Sequence, residues 1–260
     1  MKKFVLTALG IALAACSAGA VAKDWKTIRV GVDPSYPPFE SKAPDGKLIG
    51  FDIDLGNALC AKIQAKCVWV EQDFDGMIPA LKARKFDAII SSLSMTDQRR
   101  EQINFSDTLF NAPIRLIART GSSLGPTPEL LKGKRVGVQQ GTTAETYAKA
   151  YWQNSGINVV PYQNQDQVYA DLLTGRLDAT LQDEVQASIG FLKSPRSKGY
   201  SFAGAEINDK KTIGEGTGIG LRREDTDLKL RFNQALSQLH SDGEFEALEK
   251  KYFDFEIYHR

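Results

Sequence analysis

An α/β fold in two lobes is predicted for this chain from three observations. Short apolar runs alternate with helix-period segments almost throughout, the series begins a second time past residue 130, and the last helices introduce no new strand series. Residues 28–32 read as the first strand. A Pro-rich loop follows, then a helix over 52–63, a strand at 67–70, a helix at 77–83, a strand at 86–90 and a helix at 96–103. Residues 111–119 read as extended and lead into a Gly/Pro/Ser stretch at 121–128. The series then restarts with a strand at 135–138, a helix at 143–152, a strand at 159–162, a helix at 167–173 and a strand at 177–181. This alternation predicts largely parallel sheets. The Gly-rich segment 212–221 reads as extended, and helices at 225–239 and 245–252 end the series. Those helices are expected to pack back on the first lobe, making it discontinuous (23–112 with 213–260) around a second lobe of 113–212. The connection between lobes would then have two strands of chain. A short frame also recurs before a strand, Leu81 to Asp87-Ala88 and Leu172 to Asp178-Ala179; chance recurrence of a helix-to-strand turn explains it nearly as well.

Composition bounds the function classes. The 260 residues are 42% hydrophobic and 25% charged, ample for a soluble core and for one large or two medium domains. A net charge of +1 with interspersed signs offers no electrostatic footprint for nucleic acid. Residues 1–22 read as a secretory signal: Lys2 and Lys3, an apolar run over 4–15, and Ala20-Val21-Ala22 before Lys23. The run is too short to span a membrane, and removing the segment takes the net charge from +1 to −1. Leu13-Ala14-Ala15-Cys16 supports a second reading, a lipoprotein site leaving Cys16 lipid-bearing; cleavage after Ala22 is the preferred one. Nothing after residue 22 reads as a transmembrane helix. With Cys16 in the signal, Cys60 and Cys67 remain in a compartment where disulfides persist, so a bond is the natural inference and two buried free thiols the alternative. Closing so short a loop contributes about 2–3 kcal/mol in the chain-entropy model. No metal-ligand spacing is present, since His240 and His259 stand far from both cysteines, and no cofactor is implied.

In open α/β sheets, ligands bind beyond the carboxyl ends of strands. The residues at those exits are Asp33, Tyr36 and Phe39 after the first strand, Ser91, Ser92 and Ser94 after the third, Gly141, Thr142 and Thr143 after the first strand of the second half, and Asp183 later. Hydroxyls, aromatics and two isolated carboxylates suit a small zwitterion with an extra positive charge. Arg99 supplies the complement, because a planar guanidinium donates two parallel hydrogen bonds to a carboxylate. Gly141-Thr142-Thr143 with Glu145 reads as a turn into a helix, Thr142 its N-cap and Glu145 completing a capping box. Free N–H groups at that terminus would face the same carboxylate. Plainer readings exist for each residue: Arg99 as a surface cap, the Ser and Thr pairs as turn chemistry, Asp33 and Asp183 as turn starter and N-cap, Tyr36, Phe39 and Phe74 as core or rim aromatics. Their joint placement in both halves favours a site.

Enzyme motifs fail their context tests. Gly121-Ser122-Ser123-Leu124-Gly125 has nucleophile-elbow spacing but runs into Pro126 and Pro128 rather than opening a helix. No phosphate-binding loop, HExxH pair or dinucleotide fingerprint occurs.

Several segments carry a resemblance in order along the chain: Asp33-Pro34-Ser35-Tyr36-Pro37-Pro38-Phe39-Glu40, Gly50-Phe51-Asp52-Ile53-Asp54-Leu55, Ser91-Ser92-Leu93-Ser94-Met95-Thr96, Arg135 through Thr143, Gln182-Asp183-Glu184 and Lys250-Lys251-Tyr252-Phe253-Asp254. The chain resembles the periplasmic amino-acid-binding proteins of polar amino-acid ABC importers, in the lysine/arginine/ornithine- and histidine-binding branch. The resemblance implies a type II periplasmic binding protein fold, with the ligand cleft between lobes on a two-strand hinge. It implies capture of a cationic amino acid, delivery to an inner-membrane ABC permease, and a monomer in the periplasm. By resemblance the ligand α-carboxylate falls on Arg99, helped by Ser92 and the backbone near Thr143, and the α-ammonium on Asp183 with Ser92 and Ser94. The side chain would lie between Tyr36 and Phe74 with Asp33 facing its cation, Ser91, Gln139 and Thr142 lining the same site. Cys60 and Cys67 match the branch's disulfide. Gln139 and Ala144 depart from the branch's usual pattern, whereas Phe74 is similar to the lysine/arginine/ornithine binders. The alternatives are an enzyme of dehydratase type on the same scaffold and an amino-acid sensor.

Overall fold

A computed structural model describes residues 23–111 and 113–258. The expected signal segment, with both readings of Cys16, lies outside the described residues, as do Ala112 at the expected lobe junction and His259.

The first strand, β1 (Thr27–Val32), buries Ile28, Val30 and Val32 completely and sits inside a five-stranded sheet. It pairs in parallel with β5 (Lys66–Glu71) on one side and β6 (Ala88–Ile89) on the other. Between them lies α1 (Phe51–Lys62), with Asp52 and Asp54 in its first turn and Lys62 in its last, the charge order its dipole favours. Gly50 precedes it at φ 132, where a Cβ would stand 2.2 Å from the Phe39 carbonyl oxygen, so only glycine admits that approach. The sheet is completed by β13 (Gly220–Leu221), antiparallel to both β6 and β7 (Asn104–Phe105). The last helices, α8 (Thr226–Ser241) and α9 (Glu244–Tyr252), join α1 in one core where Phe39, Phe51, Phe110, Phe245 and Phe253 meet ring to ring.

The second five-stranded sheet runs β10 (Asn158–Tyr162), β9 (Arg135–Gln139), β11 (Ala179–Asp183), β8 (Ile114–Arg119), β12 (Tyr200–Phe202). Its faces are covered by α5 (Thr143–Tyr151), whose Ala144 and Ala148 pack with Val136, Val138 and Trp152, and by α6 (Gln165–Leu173), whose Val168, Tyr169 and Leu172 pack with Ile117 and Phe191. The chain crosses between the sheets twice, from β7 to β8 and from β12 to β13. The crossings run near each other, with Thr217 N donating to Phe110 O at 2.8 Å and Ile207 N to Ile114 O at 2.9 Å.

Four features depart from the sequence expectation. Both sheets are mixed rather than largely parallel: β8, β12 and β13 lie next to the crossings and run against their neighbours. The Pro-rich loop contains a small antiparallel sheet, β2 (Ser35–Tyr36), β3 (Glu40–Lys42) and β4 (Leu48–Ile49), whose strands are too short to show a period of two. The helix expected over 96–103 shortens to α3 (Asp97–Arg100), and the segment expected as extended from residue 212 begins inside α7 (Lys210–Ile213). Cys60 and Cys67 are bonded, tying the last turn of α1 to β5.

The recurring Leu-to-Asp-Ala frame is a structural equivalence. Asp87 accepts from the Arg29 backbone N–H and holds its guanidinium by a fork at 3.0 and 2.9 Å, while Asp178 does the same for Arg135 at 3.0 and 3.1 Å. Each pair clamps the start of a central strand to the turn before its neighbour. They differ in burial, because Asp87 also pairs at 2.9 Å with Arg222, which is 2% exposed, whereas the Arg135 side chain is 43% exposed. Arg222 keeps Asp225 at 2.6 Å as a second carboxylate, so Asp87→Ala is expected to cost about 2–3 kcal/mol, the penalty of a buried charged hydrogen bond left unmade. Asp178→Ala is expected to cost about 1 kcal/mol. Urea unfolding of both variants checks the order, and equal losses would contradict it.

Candidate ligand-binding cleft

A cavity of about 180 Å³ lies between the two sheets, beyond the carboxyl ends of β1, β6, β9 and β11. A cavity of about 150 Å³ is enough to take up a molecule the size of benzene, so this one has room for a small organic molecule. All eleven residues expected to bind ligand line it: Asp33, Tyr36, Phe74, Ser91, Ser92, Ser94, Arg99, Gln139, Thr142, Thr143 and Asp183.

Asp33 follows the last residue of β1. Its backbone N–H donates to Ser91 Oγ at 3.0 Å, and its carboxylate accepts from Ser35 Oγ at 2.8 Å and from Gln139 Nε2 at 2.7 Å. Burial raises its pKa despite these bonds. Ser91 Oγ in turn donates to Glu40 Oε1 at 2.9 Å. Ser92 stands at φ 48, a left-handed conformation uncommon for a residue with a Cβ, and the Asp52 carboxylate secures it by accepting the Ser92 N–H at 2.6 Å. Glu40 and Asp52 are buried beside each other. Burial, reinforced by the charge of Asp52, lifts Glu40 well above the carboxylate range, and burial lifts Asp52 to about 6. This acid pair was missed at the sequence level as part of the site. It supports Ser91 and Ser92 from behind.

Arg99 sits in α3, whose N-cap Thr96 accepts the Arg99 N–H at 3.3 Å. Arg99 is 8% exposed, and its guanidinium lies 5.5 Å from the Phe74 ring centre. It donates to Ser94 O and, across the cleft, to Gly141 O, both at 2.8 Å. Burial lowers its pKa to about 10, leaving it charged at neutral pH. Among the described residues no carboxylate pairs with it. On the opposite wall Asp183 accepts the Gln186 N–H at 2.8 Å, and burial is the largest cause raising its pKa to about 7. No cationic side chain pairs with Asp183 or Asp33 among the described residues. A buried cation, a buried carboxylate at Asp33 and a partly buried one at Asp183 thus face one cavity, none of them in an ion pair among the described residues.

At the start of α5, Thr142 Oγ1 accepts the Glu145 N–H at 3.2 Å, as the N-cap expectation required. The Glu145 carboxylate, however, accepts the Gly141 N–H at 2.8 Å rather than that of Thr142. Gly141, at φ 75, presents the N–H that the carboxylate meets. The first N–H groups of a helix have no partner within it, and here Thr143 and Ala144 belong to the cavity wall. A Cβ on Gly141 would stand 2.7 Å from the Cα of Asp75 on the other lobe, so the lobes are closed on each other.

Behind Asp183, Tyr169 Oη donates to Gln186 Oε1 at 2.6 Å, and Gln182 bonds to both Tyr169 and Gln165. Gln165 and Gln182 reach the cavity but were not anticipated; the signal for Gln182 was its place beside Asp183 at a strand exit.

The profile of bacterial extracellular solute-binding proteins, family 3, matches residues 28–255. The chain belongs to this family. It is 53% identical over 261 residues to the lysine/arginine/ornithine-binding periplasmic protein of Escherichia coli (strain K12), with 99% of each chain covered. It is 51% identical over 259 residues to the histidine-binding periplasmic protein of the same strain, again with 99% of each covered. The structure of an ancestral arginine-binding protein bound to arginine matches with a TM-score of 0.81 at 35% identity, covering 88% of this chain and 98% of that one. These relatives are binding proteins. The chain is accordingly an extracytoplasmic solute-binding protein of the two-lobe α/β type, and the enzyme alternative is set aside.

Proposed function

We propose that this solute-binding protein captures a cationic L-amino acid, arginine, lysine or ornithine with histidine secondary, and delivers it to an inner-membrane ABC permease. The observation that carries the reading is the buried Arg99 guanidinium sharing one cavity with Asp183 and Asp33, none of the three in an ion pair among the described residues. A molecule with a carboxylate at one end, an α-ammonium beside it and a cationic tail supplies all three missing partners. In this reading the α-carboxylate takes Arg99 and the N–H groups at the start of α5, the α-ammonium takes Asp183 with Ser92 and Ser94, and the tail passes between Tyr36 and Phe74 to Asp33.

Capture would proceed by closure of two rigid lobes, 23–112 with 213–260 against 113–212, about the two crossings. Gly141, Thr143 and Asp183 come from the second lobe, so closure completes the site and presents a new surface to the permease. Cleavage after Ala22 would release the mature chain as a periplasmic monomer. The named relatives, which bind lysine, arginine, ornithine or histidine, support the ligand class.

A thermal-shift panel of the twenty amino acids with ornithine and citrulline tests the reading. Ligand at a hundredfold over Kd stabilises by about 2.7 kcal/mol, so arginine, lysine and ornithine should give the largest rises in Tm. A panel in which no cationic amino acid raises Tm would overturn the assignment.

A further inference from the structure

Asp33 and Gln139 stand on opposite walls of the cavity, one from each lobe, joined by the 2.7 Å bond from Gln139 Nε2 to Asp33 Oδ2. A carboxylate only accepts, so the amide must turn its nitrogen toward Asp33, and Oε1 is left as an acceptor not engaged by it. Gln139 is 3% exposed and ends β9 in register with Tyr162, and its carbonyl accepts from Thr142 Oγ1 at 2.7 Å. Its backbone is therefore fixed, and the amide adds acceptor capacity at one place. Asp33 Oδ1 accepts from Ser35 Oγ and Oδ2 from Gln139 Nε2, with the Ser35 backbone N–H also against the carboxylate, and a carboxylate's roughly four lone-pair directions leave it acceptor capacity toward the cavity. Three acceptor positions shared between two walls surround whatever tail lies beside Asp33.

We propose, resting on the cationic amino-acid reading above, that Gln139 is a specificity-determining residue whose amide makes this tail pocket select a planar guanidinium over an ammonium. A guanidinium carries five N–H donors in a rigid fork, so one nitrogen can meet Asp33 while another meets Gln139 Oε1 on the facing wall. It is also the more weakly hydrated cation and gives up less on entering the cavity. An ammonium concentrates its donors on one atom and cannot span the two walls in the same way. Because the amide is neutral, the selection acts through donor geometry and hydration rather than through added charge.

Calorimetric titration of arginine, lysine and ornithine into the native protein, Gln139→Leu and Gln139→Met tests the proposal. Gln139→Met keeps the length and flexibility of the side chain, and Tm without ligand checks that each variant is folded. The arginine-to-lysine affinity ratio should fall about tenfold in both variants, equivalent to about 1.4 kcal/mol. A ratio within about twofold of native, or equal loss of both ligands, would overturn the role of Gln139 while leaving the cationic amino-acid reading intact. No binding of either amino acid by the native protein would overturn that reading itself and this proposal with it.

Discussion

Arg99→Ala is expected to weaken arginine binding more than a hundredfold in titration calorimetry, a loss of at least about 3 kcal/mol. Two contributions act together. The guanidinium is the only basic side chain among the described residues placed to meet the ligand carboxylate, and its removal would leave that carboxylate buried without a counter-ion. It also spans the cleft, bonding Ser94 O on one lobe and Gly141 O on the other at 2.8 Å each. Arg99→Lys separates these contributions: it retains charge but loses the fork, so it should recover only part of the affinity. Near-native binding by Arg99→Ala would remove Arg99 from the site.

Asp183→Asn is expected to act in opposite directions on binding and on stability. Binding should fall by a similar factor, because the α-ammonium would lose its carboxylate. Stability of the unliganded protein at pH 8 should rise. The sign follows from the raised pKa: burial lifts Asp183 from the ordinary carboxylate range to about 7. Its contribution to stability is fully present below pH ~4, where both states are protonated, and is lost as pH rises through about 7. Asparagine keeps an acceptor for the Gln186 N–H and removes the charge, so the variant should be about 1–3 kcal/mol more stable at pH 8, the upper end limited by access of cavity water. The difference should shrink toward pH 4. Urea melts of both proteins across this range read the effect directly. A variant less stable than native at pH 8 would show that the Asp183 charge already has an internal partner and does not wait for a ligand cation. Such a trade, a site held at a cost to the empty fold, is common where binding groups are buried.

Much of this site was legible because the strands that carry it are apolar runs ending abruptly in polar residues. Val32 gives way to Asp33, Ile90 to Ser91, and Leu181 to Gln182 and Asp183. The cavity lies at those exits. What escaped the sequence depends on contacts between segments distant in the chain. Glu40 and Asp52 become one acid pair only after the small β2–β4 sheet folds back over α1, and neither residue carries a local sign of that partnership. Glu145 was expected to cap Thr142 and instead takes the Gly141 N–H, a choice set by backbone torsion at a single glycine. The short strands β7, β12 and β13 exist through pairing with their neighbours in the sheets, so no periodicity announces them. By contrast, the Asp87 and Asp178 turns were visible as a repeated frame before the structure showed both holding the same arginine clamp.

Charges divided between two lobes fix the orientation of a dipolar guest, and a crystal structure of the protein with arginine reads that orientation directly. The predicted result is the α-carboxylate on Arg99, the α-ammonium on Asp183 and the guanidinium donating to Asp33 and to Gln139 Oε1. Arginine bound with its guanidinium toward Arg99, or bound outside the cleft, would contradict it.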